Sequence, residues 1–427
     1  MEVIVERTTH LQGIVSAPSS KAYTHRMLIT SSLSKGTSKI SCPLISDDTR
    51  ATLQAIEAFG AKTEIKENIW KIRGLEAPKT PAHSVDCGNS GSTLRFMIPV
   101  AALAAGPSTF LFRAPFERRP IVPLLESLKQ LGVESTLQQE KDGSSVKVHG
   151  GGIKGGKTSI RGDISSQFIS GLLFACPKAN EDTEIKVTPI LESKGYVKMT
   201  IETLAKHGIK ATAATDFNRL WVPSNQNYLP IDQQVPGDFS SAAFLLAAAA
   251  ITSSRVTVKN LDYETMQGDK EIVNVLKSMG SAVKVGERFV RVDGGELFAV
   301  DIDAADIPDL VPVCTVLACY AKGVSKIYNA KRLRFKESDR LDALHAELTK
   351  MGADISMKED SLTIKGTSAM HGATVDPHND HRIAMACTLA ALGARGKTKI
   401  QNSECINKSY PQFFNDLLSL GVNIYGS

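Results

Sequence analysis

The chain has 427 residues, 42% hydrophobic and 22% charged, with a formal net charge of +5. These are ordinary values for a globular protein, and the length exceeds what one hydrophobic core usually serves, so two domains are expected. The mild positive charge fits small anionic ligands, whereas basic residues that do not cluster with aromatics argue against a nucleic-acid partner.

Targeting and redox features favour the cytoplasm. The start, MEVIVERTTH, has no signal-peptide core, and the longest apolar run, at 242–251, has ten residues, which is too short to span a bilayer. The seven cysteines include no CxxC pair, which is typical of reduced thiols. We therefore expect a cytoplasmic protein without a membrane partner.

Six copies of one pattern run along the chain: an amphipathic helix, a glycine, an alternating strand, a polar turn and a second strand. The glycines of the copies are Gly60, Gly132, Gly208, Gly280, Gly352 and Gly421, spaced 72, 76, 72, 72 and 69 residues apart. Glycine is favoured after a last helical turn because a left-handed residue there has no Cβ penalty. Helix, glycine and strand follow one another in many α/β proteins, but six copies at near-constant spacing predict six modules.

The six modules divide three and three into two similar α/β domains. PGDFSS at 236–241 is the predicted boundary, so the first domain covers 18–235 and the second combines 1–17 with 236–427. By its pattern alone, the opening strand VIVERTT suits either half.

Three candidate motifs lie between residues 16 and 120. SAPSSKAYTHR (16–26) places Lys21 and Arg26 around a turn, a pattern that also fits a plain capped helix start. CGNSGSTLRF (87–96) precedes an apolar helix, where backbone N–H groups can converge on an oxyanion. It does not match GxxxxGK[ST], so a P-loop NTPase is disfavoured. FERRP (116–120) puts two arginines before a helix start, the end at which the helix dipole disfavours cations.

GDISSQFISGLL (162–173) places two serines and Gln167 at another helix start. One serine serves as the cap, so we expect the second hydroxyl and the amide to remain free for a ligand.

Two acidic residues of the second half stand among cations. Asp309 precedes an apolar helix in DAADIPDLVPV (303–313), and Glu337 lies within RLRFKESDR (332–340). A carboxylate in a cationic site is a candidate general acid or base. An N-cap is the alternative role for Asp309, and the two roles are compatible.

DPHNDHR (376–382) offers four potential metal ligands, Asp376, His378, Asp380 and His381. The chain has no partner motif such as HExxH, so no metal site is expected.

Cations recur where loops enter predicted helices. They are Lys21, Arg26, Arg119, Lys336, Arg340, Arg382 and Lys408. If the modules stack in parallel, these helix ends share one surface, where pooled dipoles and fixed cations bind phosphorylated or carboxylated ligands.

Nine motifs in order resemble those of the 5-enolpyruvylshikimate-3-phosphate (EPSP) synthase family, over essentially the whole chain. They are SSKAYTHR, GNSGSTLR, ERRP, ISSQF, SKGY, IPD, RFKESDRL, NDHRIAMA and NKSYP. The resemblance implies two similar domains of three βαβαββ repeats each, an inside-out α/β barrel, with a cleft that closes on substrate. It also implies transfer of enolpyruvyl from phosphoenolpyruvate to the 5-hydroxyl of shikimate 3-phosphate through a tetrahedral intermediate, with release of phosphate. The family needs no metal or organic cofactor; a monomer and a glyphosate target are implied as well.

The resemblance also implies roles for individual residues. Shikimate 3-phosphate would be bound by Lys21, Arg26, Ser165, Ser166, Gln167, Ser193, Tyr196, Asp309 and Lys336. Phosphoenolpyruvate would be bound by Lys21, Gly91, Arg119, Gln167, Arg340, Arg382 and Lys408. Asp309 would remove the 5-hydroxyl proton, Glu337 with Lys21 would protonate the methylene carbon, and His381 would assist.

Three positions depart from the family pattern: Ala22, Arg332 and Phe96 stand where members commonly have Ser, Asn and, in bacteria, Pro. They affect the expected affinities and glyphosate sensitivity rather than the reaction.

Three alternatives remain open. The first is the related transferase that acts on UDP-N-acetylglucosamine, which typically uses a loop cysteine; no cysteine lies between Cys87 and Cys176 here. The second is an RNA 3'-phosphate cyclase-like protein of related repeat architecture. The third is one half of a multienzyme chain.

Overall fold

The computed structural model describes residues 1–113, 119–140, 143–367 and 369–426. They form two compact units: a first unit, Ser19–Val235, and a second unit, in which Met1–Pro18 joins Pro236–Ser427. The N-terminal strands β1 (Val3–Glu6) and β2 (Gln12–Ser16) therefore belong with the C-terminal half of the chain.

The first unit consists of helices that alternate with strands. Its helices are α1 (Lys21–Ser32), α2 (Asp47–Ala58), α3 (Gly91–Ala101), α4 (Val122–Gln130), α5 (Ser166–Ala175) and α6 (Lys194–Lys206), with a 3-10 turn at Cys176–Lys178. Its strands are β3 (Gly36–Ser41), β4 (Lys62–Lys66), β5 (Ile69–Gly74), β6 (Val85–Asp86), β7 (Ser108–Phe112), β8 (Ser135–Glu140), β9 (Gly143–Val148), β10 (Gly156–Arg161), β11 (Thr183–Thr188), β12 (Thr212–Ala213), β13 (Arg219–Val222) and β14 (Gln233–Gln234).

The second unit repeats this alternation. Its helices are α7 (Phe239–Ile251), α8 (Ile272–Ser278), α9 (Val311–Cys319), α10 (Arg340–Lys350), α11 (His381–Gly393) and α12 (Phe413–Ser419). Its further strands are β15 (Arg255–Lys259), β16 (Ala282–Gly286), β17 (Phe289–Asp293), β18 (Ile302–Asp303), β19 (Val324–Tyr328), β20 (Asp354–Met357), β21 (Leu362–Lys365), β22 (Thr374–Val375), β23 (Lys397–Ile400) and β24 (Ile424–Gly426). Short 3-10 helices lie at Gly268–Glu271, Pro308–Leu310, Lys331–Phe335 and Ser403–Lys408.

Every four-stranded sheet in the described part of the chain follows one plan: a parallel pair, then two strands added antiparallel. The orders are β14-β3-β5-β4, β6-β7-β9-β8 and β10-β11-β13-β12 in the first unit, and β2-β15-β17-β16, β18-β19-β21-β20 and β22-β23-β1-β24 in the second. In the last sheet the N-terminal strand completes the module, since Val3 pairs with Ile400. Three such modules in each unit agree with the predicted fold class.

Helices occupy the interior of the second unit and sheets its outside. All residues of α9, and all but the last of α7 and α11, are buried, and these three helices pack against one another. Helices apolar on every face are stable only in an interior. None of the helices within the described residues is long and apolar enough to cross a membrane.

The glycine that ends each predicted module helix adopts the left-handed conformation. The φ angles of Gly60, Gly132, Gly208, Gly280, Gly352 and Gly421 lie between 78° and 100°. A side chain at these positions would be strained, which explains why the glycine recurs with the period of the repeat.

Candidate active site

In the second unit, Asp309 faces three cations. It lies in the 3-10 helix that leads into α9. Its Oδ1 is 2.9 Å from Arg340 Nη1 and 3.4 Å from Lys336 Nζ. Its Oδ2 is 3.3 Å from Arg382 Nη2. The N-cap residue of α9 is Leu310, so the Asp309 carboxylate serves this cationic cluster rather than the helix end.

Two of these cations occupy helix starts, whereas Lys336 follows the 3-10 helix Lys331–Phe335. Arg340 is the first residue of α10, which Asp339 caps by accepting from the Asp342 backbone N–H at 3.1 Å. Arg382 is the second residue of α11, and its backbone N–H donates to the Asp380 cap at 2.9 Å. Each cap accepts a hydrogen bond from a backbone N–H that has no partner within the helix. The Arg340 and Arg382 side chains add positive charge at the same helix ends.

Arg340 is the centre of a buried ion network. Its Nε lies 2.8 Å from Asp380 Oδ2 and its Nη2 lies 2.6 Å from Glu337 Oε2. Only 1% of the Arg340 side chain is exposed, and Ser338 Oγ also donates to Asp380 Oδ2 at 3.2 Å. Asp380 thus anchors Arg340 and caps α11, roles that sequence reasoning did not assign to it. Its position as the residue before His-Arg at a helix start was the available signal.

The network shifts the pKa values of its members. Burial alone would raise the pKa of the Asp309 carboxyl, but Arg382, Lys336 and Arg340 hold it well below its usual range. Burial lowers the pKa of the Lys336 ammonium to about 8, although Asp309 opposes this shift. For Arg340, burial acts to lower the pKa, and Asp380, Glu337 and Asp309 outweigh it and raise the pKa.

A further buried carboxyl, Asp269, lies close to this cluster and was not predicted. It is 3% exposed and accepts a hydrogen bond from Ser240, in the first turn of α7. Burial, with a contribution from Asp309, raises its pKa to about 7, while Arg382 acts in the opposite direction. The starts of α7, α9 and α11 therefore come together around these charged groups.

The remaining predicted residues of this unit lie on or beside α11. His381 is its first residue, is buried, and has Nδ1 3.7 Å from Asp380 Oδ1. Lys408 ends the 3-10 helix Ser403–Lys408, which packs against α11.

Arg332, one of the three departures from the family pattern, is 6% exposed and donates to the Ala305 carbonyl oxygen.

The four potential metal ligands make other contacts. Asp376 Oδ1 accepts from the His378 backbone N–H at 2.9 Å, and His378 Nε2 lies 2.9 Å from Glu347 Oε1. Among the described residues, no group of three or more His, Cys, Asp and Glu side chains is placed to hold a metal ion.

In the first unit, Lys21 is the first residue of α1 and pairs with an acid that was not predicted. Its Nζ lies 3.0 Å from Asp48 Oδ2, in the first turn of α2. Ser90, the N-cap of α3, donates to the Asp48 carbonyl oxygen at 3.5 Å. The starts of α1, α2 and α3 therefore adjoin.

Arg26, one turn further along α1, is bound by neutral oxygens. Its Nε donates to Thr200 Oγ1 and its Nη2 to the Tyr196 carbonyl oxygen, both at 2.9 Å. Its guanidinium carbon lies 5.3 Å from the centroid of the Phe96 ring. Burial lowers its pKa to about 10, so Arg26 remains charged at neutral pH, and the partners named here are neutral oxygens and an aromatic ring rather than carboxylates. Phe96, one of the three departures from the family pattern, therefore lies beneath the Arg26 guanidinium and packs against it.

Gln167 and Ser165 are joined by Arg95, on α3. Arg95 Nη1 donates to Gln167 Oε1 at 3.0 Å and to Ser165 Oγ at 3.2 Å. Gln167 Nε2 donates to Ser92 Oγ at 2.8 Å. Ser165 caps α5, as expected of one serine, but the expectation that the Gln167 amide is free is wrong, because long-range partners occupy both of its ends.

The other predicted positions of this unit lie at helix starts. Gly91 and Ser166 begin α3 and α5. Ser193 precedes α6 with a left-handed φ of 55°, and Tyr196 is in its first turn. Arg119, three residues before α4, is 8% exposed. Its neighbour Arg118 lies outside the described residues.

Each unit thus places fixed cations and hydroxyls where helices begin, and the second unit adds carboxylates. This defines a repeat-built α/β enzyme for small, multiply charged anions. A family model described as EPSP synthase (3-phosphoshikimate 1-carboxyvinyltransferase) matches residues 5–417. The chain belongs to the EPSP synthase family.

Curated relatives and solved structures agree with this membership. The 3-phosphoshikimate 1-carboxyvinyltransferase of Methanocaldococcus jannaschii is 43% identical over 426 residues, 99% of each chain. The enzyme of the same name from Methanocella arvoryzae is 44% identical over 415 residues, 96% of this chain and 97% of its own. The structure of EPSP synthase from Acinetobacter baumannii has a TM-score of 0.83 at 24% identity, with complete coverage of both chains, and supports the fold. The predicted family, fold class and enzyme class are confirmed.

Proposed function

We propose that this chain transfers the enolpyruvyl group of phosphoenolpyruvate to the 5-hydroxyl of shikimate 3-phosphate and releases phosphate. The observation that carries the proposal is Asp309, a carboxylate of a chain of this family that pairs with Arg340 and Arg382, at two helix starts, and with Lys336. Substrates that carry phosphates and carboxylates suit such cations, and a proton must leave the acceptor hydroxyl.

Substrate binding would switch Asp309 from a weak base to a competent one. Without ligands, its neighbouring cations hold its pKa well below the usual range, so it binds a proton poorly. Phosphate and carboxylate groups of the substrates would bind Arg340, Arg382 and Lys336 and partly neutralise their positive charge. The pKa of Asp309 then rises. The 5-hydroxyl proton is then removed only when both substrates are bound.

The cations would also stabilise the reacting centre. Addition to phosphoenolpyruvate passes through a cationic centre and a tetrahedral intermediate that still carries phosphate and carboxylate. Fixed guanidinium and ammonium groups match those anions in the transition state. Glu337, 2.6 Å from Arg340 Nη2, is proposed to deliver a proton to the methylene carbon together with Lys21, with help from His381.

We assign the two substrates as follows. Shikimate 3-phosphate is bound by Lys21, Arg26, Ser165, Ser166, Gln167, Ser193, Tyr196, Asp309 and Lys336. Phosphoenolpyruvate is bound by Lys21, Gly91, Arg119, Gln167, Arg340, Arg382 and Lys408. Support comes from the buried, neutrally partnered guanidinium of Arg26, which suits an anion, and from the fixed Gln167 amide.

A phosphate-release assay tests the proposal. The purified chain is supplied with phosphoenolpyruvate and either shikimate 3-phosphate or UDP-N-acetylglucosamine as the acceptor. We expect release only with shikimate 3-phosphate. Release only with the UDP-sugar would show that the chain is an enolpyruvyl transferase for UDP-N-acetylglucosamine, which the family match does not favour.

Location and assembly are part of the same proposal. All seven cysteines are free thiols, which supports the cytoplasm. We also propose a monomer, which light scattering of the purified chain would test.

A further inference from the structure

A buried acid of α10, Glu347, contacts the loop that leads into α11. Its Oε2 accepts from the Asp376 backbone N–H at 3.0 Å and its Oε1 lies 2.9 Å from His378 Nε2. Lys350 Nζ lies 2.8 Å from both oxygens. The Glu347 side chain is 1% exposed, so these donors compensate the removal of its charge from water.

The loop contacted by Glu347 has an unfavourable backbone. His378 and Asn379 have φ angles of 52° and 55°, in the left-handed region that residues other than glycine adopt only uncommonly. Such a conformation persists only where surrounding contacts hold it. Asp380, which follows directly, caps α11, and its backbone N–H donates to the Pro377 carbonyl oxygen at 2.9 Å.

Helix α10 therefore holds this loop at two points. Arg340, at its first residue, binds Asp380, and Glu347, seven residues later on the same face, binds the Asp376 N–H and His378. Seven residues correspond to about 10 Å of helix, so the two contacts fix both the position and the direction of the segment.

We propose that Glu347 and His378 form a clamp that positions Asp380, His381 and Arg382 for the reaction. The inference rests on the proposed function. Both are positioning residues, since they act through the loop and not on a substrate. Misplacement of a binding or catalytic group by about 1 Å lowers rates up to about a hundredfold, and Arg382 contacts Asp309 at 3.3 Å.

Lys350 provides a matched control. It donates to the same buried carboxylate as His378 but belongs to α10 rather than to the loop. Lys350→Met and His378→Leu each remove one side-chain donor from Glu347. In His378→Gln, the amide nitrogen lies at the same bond count as the imidazole Nε2, so it retains the donor.

Steady-state kinetics of these variants test the clamp. We expect His378→Leu to lower kcat about tenfold with phosphoenolpyruvate and shikimate 3-phosphate, His378→Gln to recover most of that loss, and Lys350→Met to retain the parental kcat. Equal losses in His378→Leu and Lys350→Met, in proportion to lost stability, would overturn the proposal. So would a parental kcat in His378→Leu.

Amide hydrogen exchange over 376–383 provides a test without turnover. Exchange should be faster in His378→Leu and unchanged in Lys350→Met and His378→Gln; equal exchange in all variants would refute the clamp. A parent protein inactive with both substrates would instead refute the proposed function, and exchange would still decide whether the clamp exists.

Discussion

Arg382 contacts Asp309 twice, through its Nη2 at 3.3 Å from the carboxylate Oδ2 and through its Nη1 at 3.1 Å from the backbone carbonyl oxygen. The two residues belong to successive modules, 73 residues apart in the chain. The backbone contact holds the guanidinium in place even when a substrate anion competes for the carboxylate. Asp309 is therefore surrounded by charge without being locked to a single partner.

Replacement of Asp309 by Ala should lower turnover by about a hundredfold or more, the usual effect of lost acid–base catalysis, while the fold persists. Arg340 retains its contacts to Asp380 and Glu337 in this variant, so the cations stay ordered. Phosphate release gives kcat, and circular dichroism checks the fold. Asp309→Asn, with nearly the same shape, should lose turnover to a similar degree. Near-normal kcat in either variant would remove Asp309 from the mechanism.

Lys21→Met should impair both substrate binding and turnover, because this ammonium is proposed to contact both substrates. The control is Asp48→Asn, which retains the charge of Lys21 and neutralises its 3.0 Å partner. We expect the control to retain phosphoenolpyruvate binding, measured by calorimetry. Unchanged phosphoenolpyruvate affinity in Lys21→Met would contradict its assigned place.

Local sequence patterns predicted the six modules but not which strand completes the last sheet. Gly60 and the equivalent glycines were identifiable because a left-handed helix end is a property of a few adjacent residues. The alternation in VIVERTT alone did not decide the place of β1, because it is compatible with a half-buried strand of either half. Its pairing of Val3 with Ile400 depends on which sheet lacks a strand, and that is a global property.

Charged residues at helix starts were predicted, whereas their partners were not. Asp48 resembles an ordinary acid of a first helical turn, and only the fold brings Lys21 to it. Asp380 was read as one of four possible metal ligands, because seven residues of sequence do not show that Arg340 reaches it from another helix. Gln167 was expected to be free for the same reason.

The affinity for shikimate 3-phosphate should decrease as the pH rises through about 8. Burial lowers the pKa of Lys336 to about 8, so the group is charged and able to bind phosphate below that pH and neutral above it. The pH dependence should be measured in kcat/KM, which reports the pKa values of the free enzyme. In the complex, the bound phosphate raises the pKa of Lys336 again, so kcat should not show this limb. Lys336→Arg should lose this alkaline limb, since guanidinium does not titrate there. The same limb in that variant would assign the titration to another group.

Arg340→Met should destabilise the fold by about 3–5 kcal/mol, since it leaves the buried carboxylate of Asp380 and the partly buried carboxylate of Glu337 without their shared cation. Urea denaturation measures the loss, and the phosphate-release assay should show lost activity as well. Arg334→Met is the matched control: its pair with Asp339, at 2.8 Å, is partly exposed, so we expect a loss of about 1 kcal/mol or less from that pair. Equal stability losses in the two variants would mean that burial does not set the strength of the Arg340 network. The protein would then owe its rigidity at this site to the packing of α9 and α11 rather than to charge.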